Sequence, residues 1–323
     1  MLTCKNLKKK FNLEAGFFAK YGRFVYAVND VSFSIASGET YGLVGESGCG
    51  KSTTARLLVK MYEVDSGEIL FSDKISGETI QVTSLRGAKL KDYREKIKYI
   101  FQDPVRSLNP RMTVYEILTS GYKNSKTWPG KAAARLEAEK IMEEVGLMPE
   151  DLDKRPTDFS GGQRQRISIA RALLMKPEVL ICDEVVSALD VSIQGQILNL
   201  LHNIRTQRNL SLLFIAHDLK VACYFCDRIG VMYRGIIMEE AKAQSLYSQA
   251  LHPYTKLLFS SVSNGEKKEE PLLESEISLQ TLEIEGCPFV DRCPVSKEKC
   301  KKELPELKEI KDGHKVRCWL IDS

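Results

Sequence analysis

Gly45-Glu46-Ser47-Gly48-Cys49-Gly50-Lys51-Ser52-Thr53 has the form G-x-x-x-x-G-K-S, and its reading decides the fold. Tyr41-Gly42-Leu43-Val44 before it is short and apolar, as a buried strand is. Ala55, Leu58, Val59 and Tyr62 after it recur at helical spacing. The stretch therefore joins a strand to a helix N-terminus, the setting a phosphate-binding loop requires. Its glycines let the backbone curl until several N–H groups point inward at phosphate oxygens. The first helical turn adds the positive end of its dipole. Lys51 supplies a point charge for β- and γ-phosphates, and the Ser52 hydroxyl is a candidate Mg²⁺ ligand. The competing reading is a glycine-rich turn that happens to precede Lys-Ser, and the flanking strand and helix speak against it. By itself the loop indicates a nucleoside triphosphate and nothing about its use.

The chain has 323 residues, room for one large domain or two smaller ones. Its composition, 43% hydrophobic and 28% charged, is ordinary for a soluble protein. A formal net charge of +4 is too mild to argue for nucleic acid. No run of about 18 apolar residues is present to span a bilayer. Met1-Leu2-Thr3-Cys4, followed by Lys8-Lys9-Lys10, has no apolar core of a signal peptide, so a reducing cytosolic setting is expected. The nine cysteines then call for metal or indifference rather than disulfides. Cys4, Cys49, Cys182, Cys223 and Cys226 are scattered, and four more crowd the end of the chain.

Residues 1–40 read as a β-rich lead-in. Tyr21, Phe24 and Tyr26 cluster there; stacking of one on a nucleotide base and packing under a sheet are equal alternatives. Ile69-Leu70-Phe71 and Lys98-Tyr99-Ile100-Phe101 read as strands, the second ending at Gln102. From about 103 to 165 the pattern turns helical, with helices expected over Met112–Leu118 and Lys131–Val145. Phe159-Ser160-Gly161-Gly162-Gln163 opens a long helix carrying Ile167, Ala170 and Leu174, and Pro177 stops it. Val179–Cys182 is a buried strand ending in Asp183-Glu184. Leu212–Ala216 is another, ending in His217-Asp218, and Ile229–Met232 is a third. Alternating strands and helices predict an α/β fold with a mostly parallel sheet, its ligands at the carboxyl ends of the strands. Residues 263–285 are polar and acidic and read as a linker.

A buried strand ending in Asp-Glu suits phosphoryl chemistry: Asp183 can hold the Mg²⁺ shell while Glu184 polarises the attacking water. His217, also at a strand end, can donate to a γ-phosphate. With Ser160-Gly161-Gly162-Gln163 added, the set resembles the nucleotide-binding subunits of ABC transporters, and the resemblance runs over residues 1–262. It implies an ABC-type P-loop NTPase core with an antiparallel β lead-in and a helical insert. It makes Gln102 the Q-loop glutamine, a catalytic residue and further Mg²⁺ ligand, Ser187-Ala188-Leu189-Asp190 the D-loop, and His217 the switch histidine. It implies a head-to-tail dimer in which the ATP on one P-loop meets Ser160, Gly161, Gly162 and Gln163 of the other subunit.

A finer resemblance points to the oligopeptide/dipeptide importer branch. It rests on the loop Gly45–Thr53, on Phe101-Gln102-Asp103-Pro104 with Ser107-Leu108-Asn109-Pro110-Arg111, on Ser187–Ser192, and on His252-Pro253-Tyr254-Thr255. Val185 departs from that branch, which carries proline there; the turn after Glu184 is expected to be looser, with no chemical group lost. The tail 286–323 reads Cys287-x₅-Cys293-x₆-Cys300-x₁₇-Cys318. It lacks the C-x₂₋₄-C pairs of structural zinc sites, and four thiolates hold Zn²⁺ or a [4Fe–4S] cube. The resemblance to the importer branch implies the [4Fe–4S] cluster. Cys223-x₂-Cys226 lies in a helical stretch without further ligands and reads as core.

The expectation is an ATPase that powers import of di- or oligopeptides from the cytoplasmic face of a membrane, bound there peripherally. Its partners would be a second, different ABC ATPase subunit, two permease subunits reached through Asp103–Met112, and, indirectly, an extracytoplasmic substrate-binding protein. The alternatives are a soluble ABC ATPase acting on nucleic acid in repair or translation, which would call for two cassettes or basic patches, and an importer of nickel or sugars.

Overall fold

The computed structural model describes residues 1–12, 24–74, 76–263 and 285–321. In chain order the strands are β1 (Leu2–Asn12), β2 (Phe24–Ile35), β3 (Thr40–Val44), β4 (Ser66–Ser72), β5 (Thr79–Gln81), β6 (Ile97–Ile100), β7 (Val179–Asp183), β8 (Ser211–Ala216), β9 (Arg228–Tyr233), β10 (Ile236–Lys242), β11 (Lys308–Lys311) and β12 (His314–Val316). The helices used below are α1 (Lys51–Leu58), α2 (Gly87–Lys96), α3 (Pro104–Ser107), α4 (Val114–Thr119), α5 (Lys131–Glu144), α6 (Gly161–Leu173), α7 (Val191–Arg208), α8 (Leu219–Phe225), α9 (Ala243–Gln249) and α10 (Pro253–Ser263). They form two compact units. One comprises residues 1–35, 40–84 and 216 onward; the other comprises 36–39 and 85–215. Most of the expected linker lies outside the described residues, as does Tyr21.

In the first unit the lead-in forms an antiparallel sheet in the order β2-β1-β4-β5. Leu2 faces Ile35 and Phe71 across the two ladders, and Cys4 faces Phe33 and Ile69. These residues are buried while Lys5 and Lys8 stay outside, the period-2 pattern of a half-covered strand. The other sheet of this unit runs β11-β12-β10-β9-β3. Only β3 and β9 pair in parallel; β9–β10, β10–β12 and β11–β12 are antiparallel. This side of the sheet is therefore mixed, where a mostly parallel sheet is expected. The reason is local: Tyr233 and Ile236 are joined by Arg234-Gly235, whose φ values of 43° and 78° make the two-residue turn that forces strands antiparallel.

The second unit keeps the expected parallel arrangement, in the order β8-β7-β6. Every residue of β7 and β8 is buried, which is why both read as unbroken apolar runs. Helices α4 to α6 pack beside it through Val114, Ile117, Ala134, Ile141 and Ile167, all buried. Thr113 caps α4 in a reciprocal pair with Glu116, and Ser160 caps α6 in the same way with Gln163.

Candidate nucleotide site

The loop of the first unit is built as a cradle. Gly45 has φ 157°, and a Cβ there would lie 2.1 Å from the Met232 carbonyl oxygen. Gly50 has φ 107°, and a Cβ there would lie 2.0 Å from the Ala27 oxygen. Neither position admits a side chain, so the glycines are needed for the approach of neighbouring backbone as well as for the curl. The turn between β9 and β10 supports the loop: Gly235 N donates to Cys49 O at 2.8 Å, and Asn29 N donates to Gly235 O at 2.8 Å. Lys51, 4% exposed, donates from Nζ to Gly45 O at 2.7 Å and Glu46 O at 2.9 Å. Its ammonium is thus held under the loop by acceptors that a phosphate oxygen can replace. Helix α1 starts at Gly50 with no side-chain cap, leaving its dipole end to an anion. Ser47 and Gly48 are exposed, Ser52 and Thr53 half-buried. These residues fit a polyphosphate. His217, in the same unit, is exposed immediately before Asp218, whose side chain caps α8 by accepting from Lys220 N and Val221 N.

The second unit gathers the acidic and amide groups. Asp183 closes β7 at 3% exposure, and the Tyr99 hydroxyl donates to its Oδ2. Glu184 has φ 49°, a left-handed conformation rare for a residue with a side chain. Its N–H donates to Ile215 O, and its carbonyl accepts from Ser187 N and Ser187 Oγ. Those bonds hold the turn at Glu184. Gln102 Nε2 donates to Glu184 Oε2 at 2.6 Å. The structure thus brings Gln102 and Glu184 together. Val185 is buried at 2% exposure, so the residue that departs from the branch packs inward. Tyr99 was missed by sequence reading; its only signal is a lone aromatic hydroxyl one strand away from Asp183.

Ser160, Gly161 and Gln163 are exposed at the start of α6. Gln163 N donates to Ser160 Oγ at 3.3 Å, and Ser160 N donates to Gln163 Oε1 at 2.9 Å. The motif so presents a capped helix N-terminus to the exterior of its unit. A Cβ at Gly162 would stand 2.8 Å from Ile193 of α7. Helix α3, just past Gln102, is tied to the same helix: Arg171 Nη1 donates to Ser107 O at 2.7 Å.

The C-terminal residues supply groups that sequence reading did not assign. Glu239, fully buried, accepts from Leu251 N and His252 N and pairs with His314 Nε2 at 2.7 Å. His252 Nδ1 accepts from Tyr254 N, capping α10. Burial pushes His252 down to about 4, against the pull of Glu239. Tyr254 is fully buried, and its hydroxyl oxygen accepts from Glu46 N at 3.1 Å. Arg292, inside Cys287-Pro288-Phe289-Val290-Asp291-Arg292-Cys293, meets Glu46 with both guanidinium nitrogens, at 2.9 and 3.0 Å.

The expected metal site of the tail is not supplied by this arrangement: among the described residues no group of three or more His, Cys, Asp or Glu is placed to hold a metal ion. Cys287 and Cys300 are buried while Cys293 and Cys318 are partly exposed. Burial pushes the Cys287 thiol up to about 11, and nearby Cys300, Cys318 and Cys293 push the same way. Cys318 is raised by burial and by Cys293 and Cys300. The four cysteines thus lie near enough to act on one another's charge. Cys226 is buried, its Sγ 2.9 Å from where a Cβ on Gly42 would stand, as its core reading requires; Cys223 is half-buried. No helix among the described residues is long and apolar enough to cross a membrane.

Residues 28–187 match the family described as "ABC transporter", and residues 238–300 match "Oligopeptide/dipeptide transporter, C-terminal region". The oligopeptide transport ATP-binding protein AppF of Bacillus subtilis (strain 168) is 42% identical over 326 residues, covering 99% of this chain and 97% of that protein. A probable peptide ABC transporter ATP-binding protein of Sinorhizobium fredii, y4tS, is 40% identical over 321 residues, covering 98% and 89%. Among solved structures, the dimeric ATP-binding cassette MJ0796 bound to ADP and Pi is 26% identical, with a TM-score of 0.65 over 75% of this chain and 99% of that one. Sequence and structure agree: the chain belongs to the ABC transporter ATP-binding proteins, in the branch marked by the oligopeptide/dipeptide transporter C-terminal region.

Proposed function

We propose that this chain hydrolyses ATP to power peptide import through separate membrane subunits. The observation that carries the reading is end-to-end likeness, at about 42% identity, to ATP-binding proteins named for oligopeptide transport, together with the matched C-terminal region. Neither the nucleic-acid alternative nor a nickel or sugar cargo gains support from these relatives. Gly45 to Thr53 bind the ATP phosphates, Lys51 by charge and the loop by its N–H groups. Ser52, Asp183 and Gln102 are the residues that would hold Mg²⁺, which neutralises phosphate charge when bound. Glu184 accepts a proton from the attacking water, oriented by Gln102, and His217 donates toward the γ-phosphate.

Exposure of the Ser160–Gln163 helix start supports its service to a partner ATPase subunit rather than to its own loop. The hydrogen bond from Arg171 to Ser107 supports a path from α3, beside the residues expected to meet a permease, to α6 and its motif. Two permeases, a second and different ATPase subunit, and an extracytoplasmic binding protein complete the reading, with this chain peripheral on the cytoplasmic face. For the tail, a [4Fe–4S] unit rests on the spacing and proximity of Cys287, Cys293, Cys300 and Cys318, which would bind it as thiolates; iron and sulfide analysis of anaerobically purified protein tests it. The function is tested by reconstituting the chain with its permease and binding-protein partners in liposomes. ATP-dependent uptake of a labelled oligopeptide is expected. ATP hydrolysis stimulated by nickel or a sugar, and not by peptide, would overturn it.

A further inference from the structure

Glu46 stands inside the phosphate loop, where a carboxylate works against the binding of an anion. The loop from Gly45 to Thr53 contains two charged side chains, Glu46 and Lys51. An unpaired Glu46 would cancel the lysine's charge and leave a carboxylate beside the seat of a polyanion. The C-terminal tail removes that problem. Arg292 grips the carboxylate as a fork, Nη1 to Oε2 at 2.9 Å and Nη2 to Oε1 at 3.0 Å. The planar guanidinium matches both oxygens at once, which a lysine cannot do. It is itself held in place: its carbon lies 5.8 Å from the Tyr233 ring centre and 5.7 Å from that of Phe289. Phe289, 1% exposed, packs edge-on to Tyr233 and against Tyr254. The Tyr254 hydroxyl takes the Glu46 N–H. Main chain and side chain at position 46 are thus both fixed by residues more than 200 positions later.

We propose that Arg292 is a positioning residue for ATP: by neutralising and pinning Glu46, it lets the C-terminal tail set the affinity of the phosphate loop for the triphosphate. The proposal deepens the nucleotide reading and rests on it. The link is selective for anionic charge, so it acts more on ATP than on ADP. The two side chains are 29% and 33% exposed, so water and salt screen the pair and its effect is moderate.

The test is equilibrium binding of Mg·ATP and Mg·ADP to the purified full chain at low and high salt. Arg292→Ala is expected to weaken ATP binding by about three- to tenfold and ADP binding by less, the effect shrinking with salt. Glu46→Gln keeps the side chain's length and removes its charge, so it is the background against which Arg292 is tested. In the Glu46→Gln background, Arg292→Ala should lose its penalty, because no carboxylate remains to be neutralised. Arg292→Lys should recover part of the loss by charge alone. An Arg292→Ala penalty that persists undiminished beside Glu46→Gln would show that Arg292 acts only through tail packing, and the proposal falls. Unchanged ATP affinity in a folded Arg292→Ala chain also overturns it. If Arg292→Ala does not fold, Arg292→Lys and Glu46→Gln carry the same comparison. Failure of the unsubstituted chain to bind ATP, by contrast, would strike the nucleotide reading itself.

Discussion

Replacing Glu184 with glutamine separates chemistry from binding, and the structure sets the size of each effect. The substitution exchanges one carboxylate oxygen for an amide nitrogen of nearly equal volume. Gln102 Nε2 donates to Glu184 Oε2 at 2.6 Å, and the new side chain keeps a carbonyl oxygen that can accept the same bond. What is lost there is the charge assistance, about 1 kcal/mol. The bonds from Glu184 N to Ile215 O, and from Ser187 to the Glu184 carbonyl, involve backbone at 184 and survive. Fold stability and ATP affinity should therefore move by about fivefold at most. Loss of a general base removes about 10²–10⁴ in rate, or about 3–5 kcal/mol of barrier. The gap between these magnitudes makes the outcome decisive. Turnover of the assembled transporter is measured by phosphate release, and occupancy by trapping labelled ATP. Glu184→Gln should retain ATP, stall turnover and accumulate as a closed dimer. Turnover within tenfold of the unsubstituted assembly, or parallel loss of ATP affinity, would refute the assignment of Glu184 as the base.

Lys51→Ala removes a buried ammonium with two carbonyl partners and should raise the dissociation constant for Mg·ATP by about tenfold or more in a calorimetric titration. Ser160→Arg deletes a helix cap, costing about 1 kcal/mol in chemical denaturation, and, on the proposed head-to-tail pairing, sets a cation at the partner's nucleotide. Nucleotide trapping on each subunit should then fall at the site built on the partner's loop and persist at this chain's own loop. His252, pushed down by burial to about 4 from 6.5, stays neutral in the folded chain. Its contribution is fully present above pH 6.5 and is lost as pH falls toward 4, because the unfolded chain takes up the proton first; stability should drop by about 1.4 kcal/mol per pH unit across that window, and His252→Gln should flatten the slope.

The elements nearest the nucleotide were legible because two strong local signals coincide there. β3, β7 and β8 are buried throughout, so burial writes itself into the sequence as apolar runs; β7 ends in Asp183, and β3 and β8 are followed at once by Gly45 and His217. The helix caps at Thr113 and Ser160 are likewise local, a donor and acceptor three residues apart. What could not be read depends on distance along the chain. Glu46 and Arg292 are 246 residues apart, and neither position carries a period or spacing that names the other. Strand β11 is exposed at every residue, Lys308-Glu309-Ile310-Lys311, so no alternation announces it. Tyr99 lies within a recognised strand, but its bond to Asp183 depends on β6 and β7 pairing in parallel with Tyr99 beside Ile181.

The tail shows why a motif can be noticed for one property while its contacts rest on others. Four cysteines stand out by their spacing, and a segment too short to bury a core of its own is one that a metal can hold together. The described contacts supply a different remedy, in which the tail borrows the core of its unit. Phe289 is buried against Tyr233 and Tyr254. Arg317, 6% exposed, donates to Ile237 O and Pro305 O, and its N–H donates to Met238 O. β12 pairs with β10 and so places His314 on Glu239 and Lys315 on Glu240. Both glutamates are buried, and Glu240 also accepts from the Tyr41 hydroxyl at 2.7 Å. A buried carboxylate left unpaired costs several kcal/mol, so these two positions on β10 need cationic or donor groups from elsewhere. The tail provides them. Its docking is therefore supported by charge pairing and aromatic burial independently of the sulfurs, and the segment that completes Glu239 and Glu240 is the same one that carries Arg292 to the phosphate loop.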